Sequence, residues 1–225
     1  MSRQLRVWDL PTRVFHWALA ACIAGSLLTI QLGGNAVGWH FRFGYAILAL
    51  LLFRLAWGIV GPRHARFTSF PPDPAAAWRQ LSETRPHAAP GHSPLGALSV
   101  YAMLLAVALQ VTTGLFASDA IMWDGPLKNF VSNDTSDLLT RIHKVNRIVL
   151  IGLVALHLAA IAFYRLRGRR GLVAAMITGD ARCEAEAGPA RDDLRVRAGA
   201  LLLAAACAGL AGGIVSLGAR AGSGF

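Results

Sequence analysis

Charge is scarce in this chain of 225 residues: Asp, Glu, Lys and Arg make up only 15% of it, where an ordinary soluble domain carries about 25%. That shortage excludes a conventional water-soluble globule. Acidic residues are the scarcer kind, 12 against 22 basic ones. Cysteine is limited to Cys22, Cys183 and Cys207, with no CxxC or CxxCH spacing. Covalent c-type haem, iron–sulfur clusters and structural zinc therefore lack their ligand patterns. Cys22 and Cys207 lie in apolar runs, where a thiol reads as a small hydrophobe. No internal repeat of useful length is visible. A cleavable leader is not expected either: the first apolar run is long, follows "VWDLPTRVFHW" and lacks a small-residue cleavage site.

What the chain has instead is hydrocarbon. Apolar residues make up 55% of it, and five runs are long enough to span a bilayer, at 14–32, 40–61, 95–117, 142–164 and 194–218. Between them lie a Pro- and Arg-rich loop at 62–94, whose stretch Ala75 to Leu81 is expected to form a short interfacial helix, and a loop at 118–140 with a turn signal at Asp124–Pro126. A polar linker covers 178–193. The fold class expected is all-α integral membrane, a four-helix transmembrane bundle plus a fifth C-terminal transmembrane helix. The domain reading is a bundle over 1–179, a cytoplasmic linker over 180–193, and an extra helix with a short outer tail over 194–225. The fifth run is mostly Ala, Gly and Leu, with Gly209 and Gly213 at the GxxxG spacing that lets helices approach closely in lipid. It carries no visible chemistry and suits packing on the bundle or on a second copy.

The net charge of +10 suggests nucleic acid until its distribution is read. Arg3, Arg6 and Arg13 precede the first run; Arg63, Arg66, Arg79 and Arg85 lie between the second and third; Arg165, Arg167, Arg169, Arg170, Arg182 and Arg191 follow the fourth. The segment 33–39 has no basic residue, and 118–140 has only Lys128 against Asp119, Asp124, Asp134 and Asp137. This alternation is the positive-inside pattern for a cytoplasmic N-terminus and an outer C-terminus. Membrane topology accounts for the basicity, and no nucleic-acid partner is expected.

Within "RIHKVNRIVLIGLVALHLAAIAFYRLRGRR" two histidines lie fourteen residues apart. On a helix His143 and His157 face nearly the same way, displaced ~21 Å along the axis, most of a hydrocarbon core about 30 Å thick. His40, opening the second run, matches the depth of His143; His16, opening the first, matches His157. Ionisable groups at membrane depth are rare and normally face a bundle interior or a functional path. The four positions form the ligand set of two bis-histidine b-type haems, His16 with His157 and His40 with His143, their iron held by all four. Gly25, Gly44 and Gly114 are candidates for the room a macrocycle needs. Each histidine also has a plainer reading: interfacial placement for His16 or His40, and a hydrogen bond across the bundle for His157. Zinc would be short of ligands at either pair.

Charged residues add a second layer. Arg54 follows His40 by fourteen residues, on nearly the same face but at the depth of His157. It is a candidate partner for a haem propionate or a quinone oxygen, against the alternative of snorkelling to headgroups. Arg42, Lys144 and Arg147 lie near the His40–His143 level. They are candidates for outer propionates, for attracting an anionic substrate or acidic partner, or for plain interface anchoring.

At these residues the chain resembles the bacterial cytochrome b561 family, which includes the b-type cytochrome subunits of nickel–iron hydrogenases. The resemblance covers residues 5 to about 179. It is carried by "VWDLPTRVFHW", "GWHFRFGYAILALLLFRLAWGIVGPR", "GHSPLGALSVYAMLLAVALQVTTGLF", "RIHKVNRIVLIGLVALHLAAIAFY" and the closing "MITG". It implies the same two histidine pairs and two haem b. It also implies a place in a bacterial inner membrane and electron transfer between the quinone pool and an outer-face partner, such as a c-type cytochrome or a hydrogenase. An alternative within the family is a superoxide:quinone oxidoreductase acting at the outer face. A reading of another class is a non-redox transporter or scaffold. No catalytic residue is assigned. In the family pattern "GHSPLG", His92 stands at the inner mouth of the third run; with Arg54 and Trp17 it is a candidate quinone site, since histidine titrates where quinone chemistry needs it. The plainer alternative is that His92 caps the third helix. His64 and His87 read as loop histidines. The fifth helix departs from the family's four-helix pattern.

Overall fold

The computed structural model describes residues 3–82, 91–167, 171–183 and 188–222. Among these residues seven α-helices and two short strands follow one another as β1 (Arg3–Arg6), α1 (Leu10–Leu32), α2 (Val37–Val60), α3 (Pro74–Ser82), α4 (Pro94–Gly114), α5 (Asn133–Leu166), α6 (Leu172–Thr178), β2 (Asp180–Cys183) and α7 (Leu194–Gly222). Five segments are long and apolar enough to cross a membrane: Leu10–Leu32, Gly34–Val60, Pro94–Gly114, Asn133–Leu166 and Leu194–Gly218. Helices suit that solvent because every mid-helix amide is satisfied within its own segment.

Polar side chains set the helix ends, and they place several ends outside the apolar runs. Asp9 caps α1: its carboxylate accepts the Thr12 amide at 2.9 Å and the Thr12 hydroxyl at 2.8 Å. The helix therefore starts at Leu10 and carries His16 about two turns in, rather than at its mouth. At the other end Gly33 and Gly34 take φ of 67° and 52°, a left-handed exit that only glycine adopts without strain. Ser132 caps α5 through the Thr135 amide at 3.2 Å. That helix has 34 residues, ~51 Å of rise, so its first turns lie beyond any hydrocarbon core about 30 Å thick. Residues 133–140, expected as loop, are helical: Ser132 caps the segment and Asp134 lies in its first turn, where a negative charge suits the helix N-terminus. The interfacial helix expected over Ala75 to Leu81 is α3, capped by Asp73 through the Ala76 amide at 2.8 Å.

Two compact units are formed, one from Met1–Phe15, Arg54–Leu104 and Gly152–Leu201, the other from His16–Phe53, Leu105–Ile151 and Leu202–Phe225. In the first, β1 and β2 pair antiparallel with Arg3 opposite Cys183 and Arg6 opposite Asp180. Beneath them Val7, Trp8 and Ala175 form a core with Met176 and Ala181. The segment expected as a plain linker is thus a clasp. Asp192, 6% exposed, accepts from Arg6 at 2.8 Å, Arg197 at 3.1 Å and the Leu10 amide at 3.1 Å. The Trp57 indole donates to Asp9 at 3.1 Å in the same unit.

The second unit is lined by Ile47, Leu48, Leu51, Val107, Val111 and Leu150, all buried. Buried polar groups there are bonded to backbone. Ser136 donates to the Phe116 carbonyl at 2.8 Å, and Asn146 to the Ala106 carbonyl at 2.8 Å. Near the end of α7, Gly218 lies so close to Pro126 that a Cβ would fall on the Pro126 carbonyl.

Candidate functional site

His40 on α2 and His143 on α5 meet in the second unit, with ring centroids 6.2 Å apart and ring planes at 84°. Each ring is held the same way. His40 Nδ1 is 3.0 Å from the Ser26 carbonyl and 2.9 Å from the Ser26 hydroxyl; His143 Nδ1 is 2.9 Å from the Gln110 carbonyl. A carbonyl only accepts, so both Nδ1 atoms carry the proton and both Nε2 atoms keep a lone pair. On His143 that lone pair accepts the Gln110 side-chain amide at 3.0 Å. The amide is itself oriented by Asn146, which donates to Gln110 Oε1 at 2.8 Å.

This donor set fits a haem iron. An imidazole–metal bond is about 2.0–2.1 Å long, so two imidazoles that shared one metal would have ring centres about 6 Å apart, and the 6.2 Å between His40 and His143 is compatible with that. Among the described residues no group of three or more His, Cys, Asp or Glu is placed to hold a metal ion. Both rings line a largely apolar cavity of about 240 Å³ that also touches Gly44, Trp123, Lys144 and Arg147. The three glycines separate here. A Cβ on Gly25 would lie 2.6 Å from Phe43, and one on Gly114 would lie 2.9 Å from His143 Cε1. Those two make room for protein side chains; Gly44, with nothing within 4 Å of its Cβ position, opens onto the cavity.

In the first unit Arg54 is buried, 4% exposed, with its guanidinium 4.6 Å from the Phe67 ring centroid. Among the described residues its Nη1 has no hydrogen-bond partner, and its burial argues against snorkelling into solvent. Phe67 continues to Phe70 at 5.9 Å, and Phe70 to His92 at 4.2 Å, with Trp8 edge-on to His92 at 4.8 Å. His92 Nδ1 is buried and has no hydrogen-bond partner among the described residues. Burial, with the nearby charges of Arg54 and His64, pushes His92 down to about 3. It is therefore neutral at ordinary pH, outside the range the sequence suggested. The cap of α4 is Ser93, whose hydroxyl meets the Gly96 amide at 3.2 Å, rather than His92. His64, expected as a loop histidine, is buried with Nε2 3.4 Å from the Gly188 carbonyl. Burial pushes its pKa down.

The remaining candidates are placed as follows. His16 is half-buried in the second unit with Trp17, itself exposed, edge-on at 5.1 Å. His157 is half-buried in the first unit. Lys144 and Arg147 border the His40–His143 cavity, whereas Arg42 turns out over Trp39 at 4.6 Å. His87 lies outside the described residues. The residues that the sequence did not single out are Ser26, Gln110 and Asn146. Asn146 is three residues after His143 and on the same helical face, which was the available signal; Ser26 contributes partly through its backbone, which carries no signature.

A helical membrane protein in which paired imidazoles are oriented across an apolar cavity, with no thiol motif, defines the class of b-type cytochromes, which hold haem b without covalent attachment. The chain belongs to the prokaryotic cytochrome b561 family, whose profile matches residues 7–179. It is similar to the probable Ni/Fe-hydrogenase 1 B-type cytochrome subunit of Escherichia coli (strain K12), 25% identical over 135 residues, which are 48% of this chain and 57% of that protein. The match thus spans little more than half of the E. coli protein's length. The probable Ni/Fe-hydrogenase B-type cytochrome subunit of Rhizobium leguminosarum bv. viciae is 23% identical over 213 residues, 77% of this chain and 87% of that one. The corresponding protein of Azotobacter chroococcum mcd 1 is 26% identical over 212 residues, 77% and 86%. No solved structure matches the chain.

Proposed function

We propose that this chain is a di-haem b-type cytochrome of a bacterial inner membrane that passes electrons between the quinone pool and a partner at the outer face. The observation that carries the reading is the His40–His143 pair: two imidazoles of one tautomer, with ring centres at a separation compatible with a shared iron, lining one apolar cavity. Bound haem supplies a reversible one-electron centre. The protein's part is to fix ligation, spacing and surroundings. Ser26 and Gln110 hold the imidazole protons on Nδ1 and so leave an Nε2 lone pair on each ring for the metal, the Gln110 side-chain amide giving way to it at His143, while Lys144 and Arg147 offer cations to propionates. A second haem is proposed on sequence position alone, with His16 and His157 as its ligands.

The quinone headgroup is proposed at Arg54 and His92, with Trp17 as a further candidate from the sequence. Two buried, unpartnered N–H or N groups, Arg54 Nη1 and His92 Nδ1, suit a ligand oxygen, since each costs about 1–3 kcal/mol while unsatisfied. A neutral His92 offers a hydrogen bond rather than a stored proton. The partner at the outer face is proposed as a hydrogenase, from the names of the relatives, or a c-type cytochrome. A second copy joined through α7 is a further partner. The N-terminus is proposed in the cytoplasm and the C-terminus outside, which a C-terminal alkaline phosphatase fusion reports by its activity. Membership of a cytochrome family argues against the non-redox transporter or scaffold.

The test is a pyridine haemochrome assay with reduced-minus-oxidised spectra on the purified protein, His143→Ala and His157→Ala. The expected result is two b haems per chain in the parent and one, of different spectrum, in each variant. Two haems retained in either variant would overturn that ligand assignment. A superoxide:quinone oxidoreductase is a second reading, favoured by Lys144 and Arg147 on the wall of the His40–His143 cavity. The same preparation with quinone would then speed superoxide decay in stopped flow, and unchanged decay excludes it.

A further inference from the structure

We propose that Thr29 and Thr113 are positioning residues that set the redox potential of the haem held by His40 and His143; the inference rests on that ligand assignment. The same backbone arrangement occurs twice, on α1 and on α4, with a hydroxyl near each Nδ1 that differs between them, Ser26 at 2.9 Å from His40 and Thr113 itself at 3.4 Å from His143. The Thr29 hydroxyl donates to the Gly25 carbonyl at 2.7 Å and to the Ser26 carbonyl at 3.2 Å. The Thr113 hydroxyl donates to the Leu109 carbonyl at 2.6 Å and to the Gln110 carbonyl at 3.2 Å. In each case the carbonyl three residues back is the one that accepts the imidazole N–H, at 3.0 Å for His40 and 2.9 Å for His143. Each imidazole therefore rests on a carbonyl whose own turn is pinned by a threonine, on two helices whose local sequences, "SLLT" and "QVTT", share only that threonine.

Back-bonding of a threonine hydroxyl to its own helix tilts the turn and loosens its ladder, which leaves the neighbouring carbonyl available to a group from another helix. Two effects of the hydroxyl oppose each other. It shares the carbonyl with the imidazole, which weakens the imidazole bond, and it holds the turn in the geometry that makes the bond. The distances decide between them: the bond to the shared carbonyl is the long one in both cases, and the bond that pins the turn is the short one. Holding wins. An imidazole whose Nδ1–H is well accepted is a more electron-rich ligand, and second-shell bonding of this kind is one of the protein's levers on haem potential. Gln110 and Asn146 meet only His143, so they do not account for the repeat.

The experiment is a spectroelectrochemical titration of the intact protein and its T29V and T113V variants, with haem content measured alongside. Valine keeps the shape and removes the hydroxyl. The midpoint of the His40–His143 haem is expected to rise in both variants, with two haems per chain retained and the other midpoint unmoved; T29S and T113S are expected to restore the parent value. Thr113 is 2% exposed, so should T113V not fold, T29V and T29S carry the test. An unchanged midpoint, a fall, an equal shift of both haems or a failure of serine to rescue overturns the proposal. Absence of this haem from the parent protein would instead overturn the ligand assignment.

Discussion

Glycine 44 separates space reserved for a ligand from space taken by protein. Gly25 and Gly114 are explained by Phe43 and His143, whose atoms a Cβ would strike; Gly44 has no such neighbour and borders the cavity. Ala is about 1 kcal/mol better than Gly inside a helix, so Gly44→Ala should raise the thermal stability of protein prepared without haem. If a macrocycle fills the cavity, the same methyl obstructs it, and haem per chain should fall from two towards one. Stability and haem content moving in opposite directions is the signature; a variant with full haem would show that Gly44 faces lipid or a void. At this scale the sequence was legible for the meeting of His40 and His143, because ionisable side chains in an apolar run announce themselves. It was illegible for what they rest on, since the acceptors at Ser26 and Gln110 are backbone carbonyls that any residue supplies. It was silent on the burial of His92 and of the loop residue His64, which depends on Trp8, Phe70 and Gly188, residues distant in the chain.

Among the elements, long apolar helices could be read from hydropathy, and the clasp could not. The strands "RQLR" and "DARC" are four residues each, polar and without alternation, and they pair across more than 170 positions; only the tertiary structure brings them together. Asp192 is the centre of that clasp. Burial works to raise its pKa, but hydrogen bonds from Arg197, the Leu10 amide and Arg6 outweigh it, so the net shift is downward. A carboxylate with a lowered folded-state pKa stabilises the protein above its unfolded value of about 3.9. That contribution is lost as pH falls through the folded value. Asp192→Asn should therefore cost about 2 kcal/mol at pH 7, on the scale of hydrogen bonds to charged groups. The difference from the parent should shrink below about pH 4. Thermal unfolding at neutral and acid pH checks this; a gap independent of pH would mean that Asp192 acts by shape and not by charge.

For the whole molecule the open question is what the fifth helix adds. The family match ends at residue 179, before α7, and none of the proposed haem or quinone residues lies in it. Yet α7 is fastened near both ends. Asp193 caps it through the Val196 amide at 3.0 Å, and Arg197 in its first turn grips Asp192. Gly218 near its other end presses on Pro126. Between these points Leu201, Leu202 and Leu210 are exposed, and Gly209 and Gly213 have nothing within 4 Å of their Cβ positions. Fastening of this kind adds contacts at each end of the helix, and the open small-residue stripe between them leaves room for a close helix from another copy. Truncation after Asp193 should therefore leave two haems per chain by pyridine haemochrome, lower the unfolding temperature, and convert any dimer seen by native mass spectrometry to monomer. Loss of the His40–His143 haem would show instead that Gly218, through Pro126 and the loop that carries Trp123, holds that cavity closed, and would make the fifth helix part of the haem-binding fold.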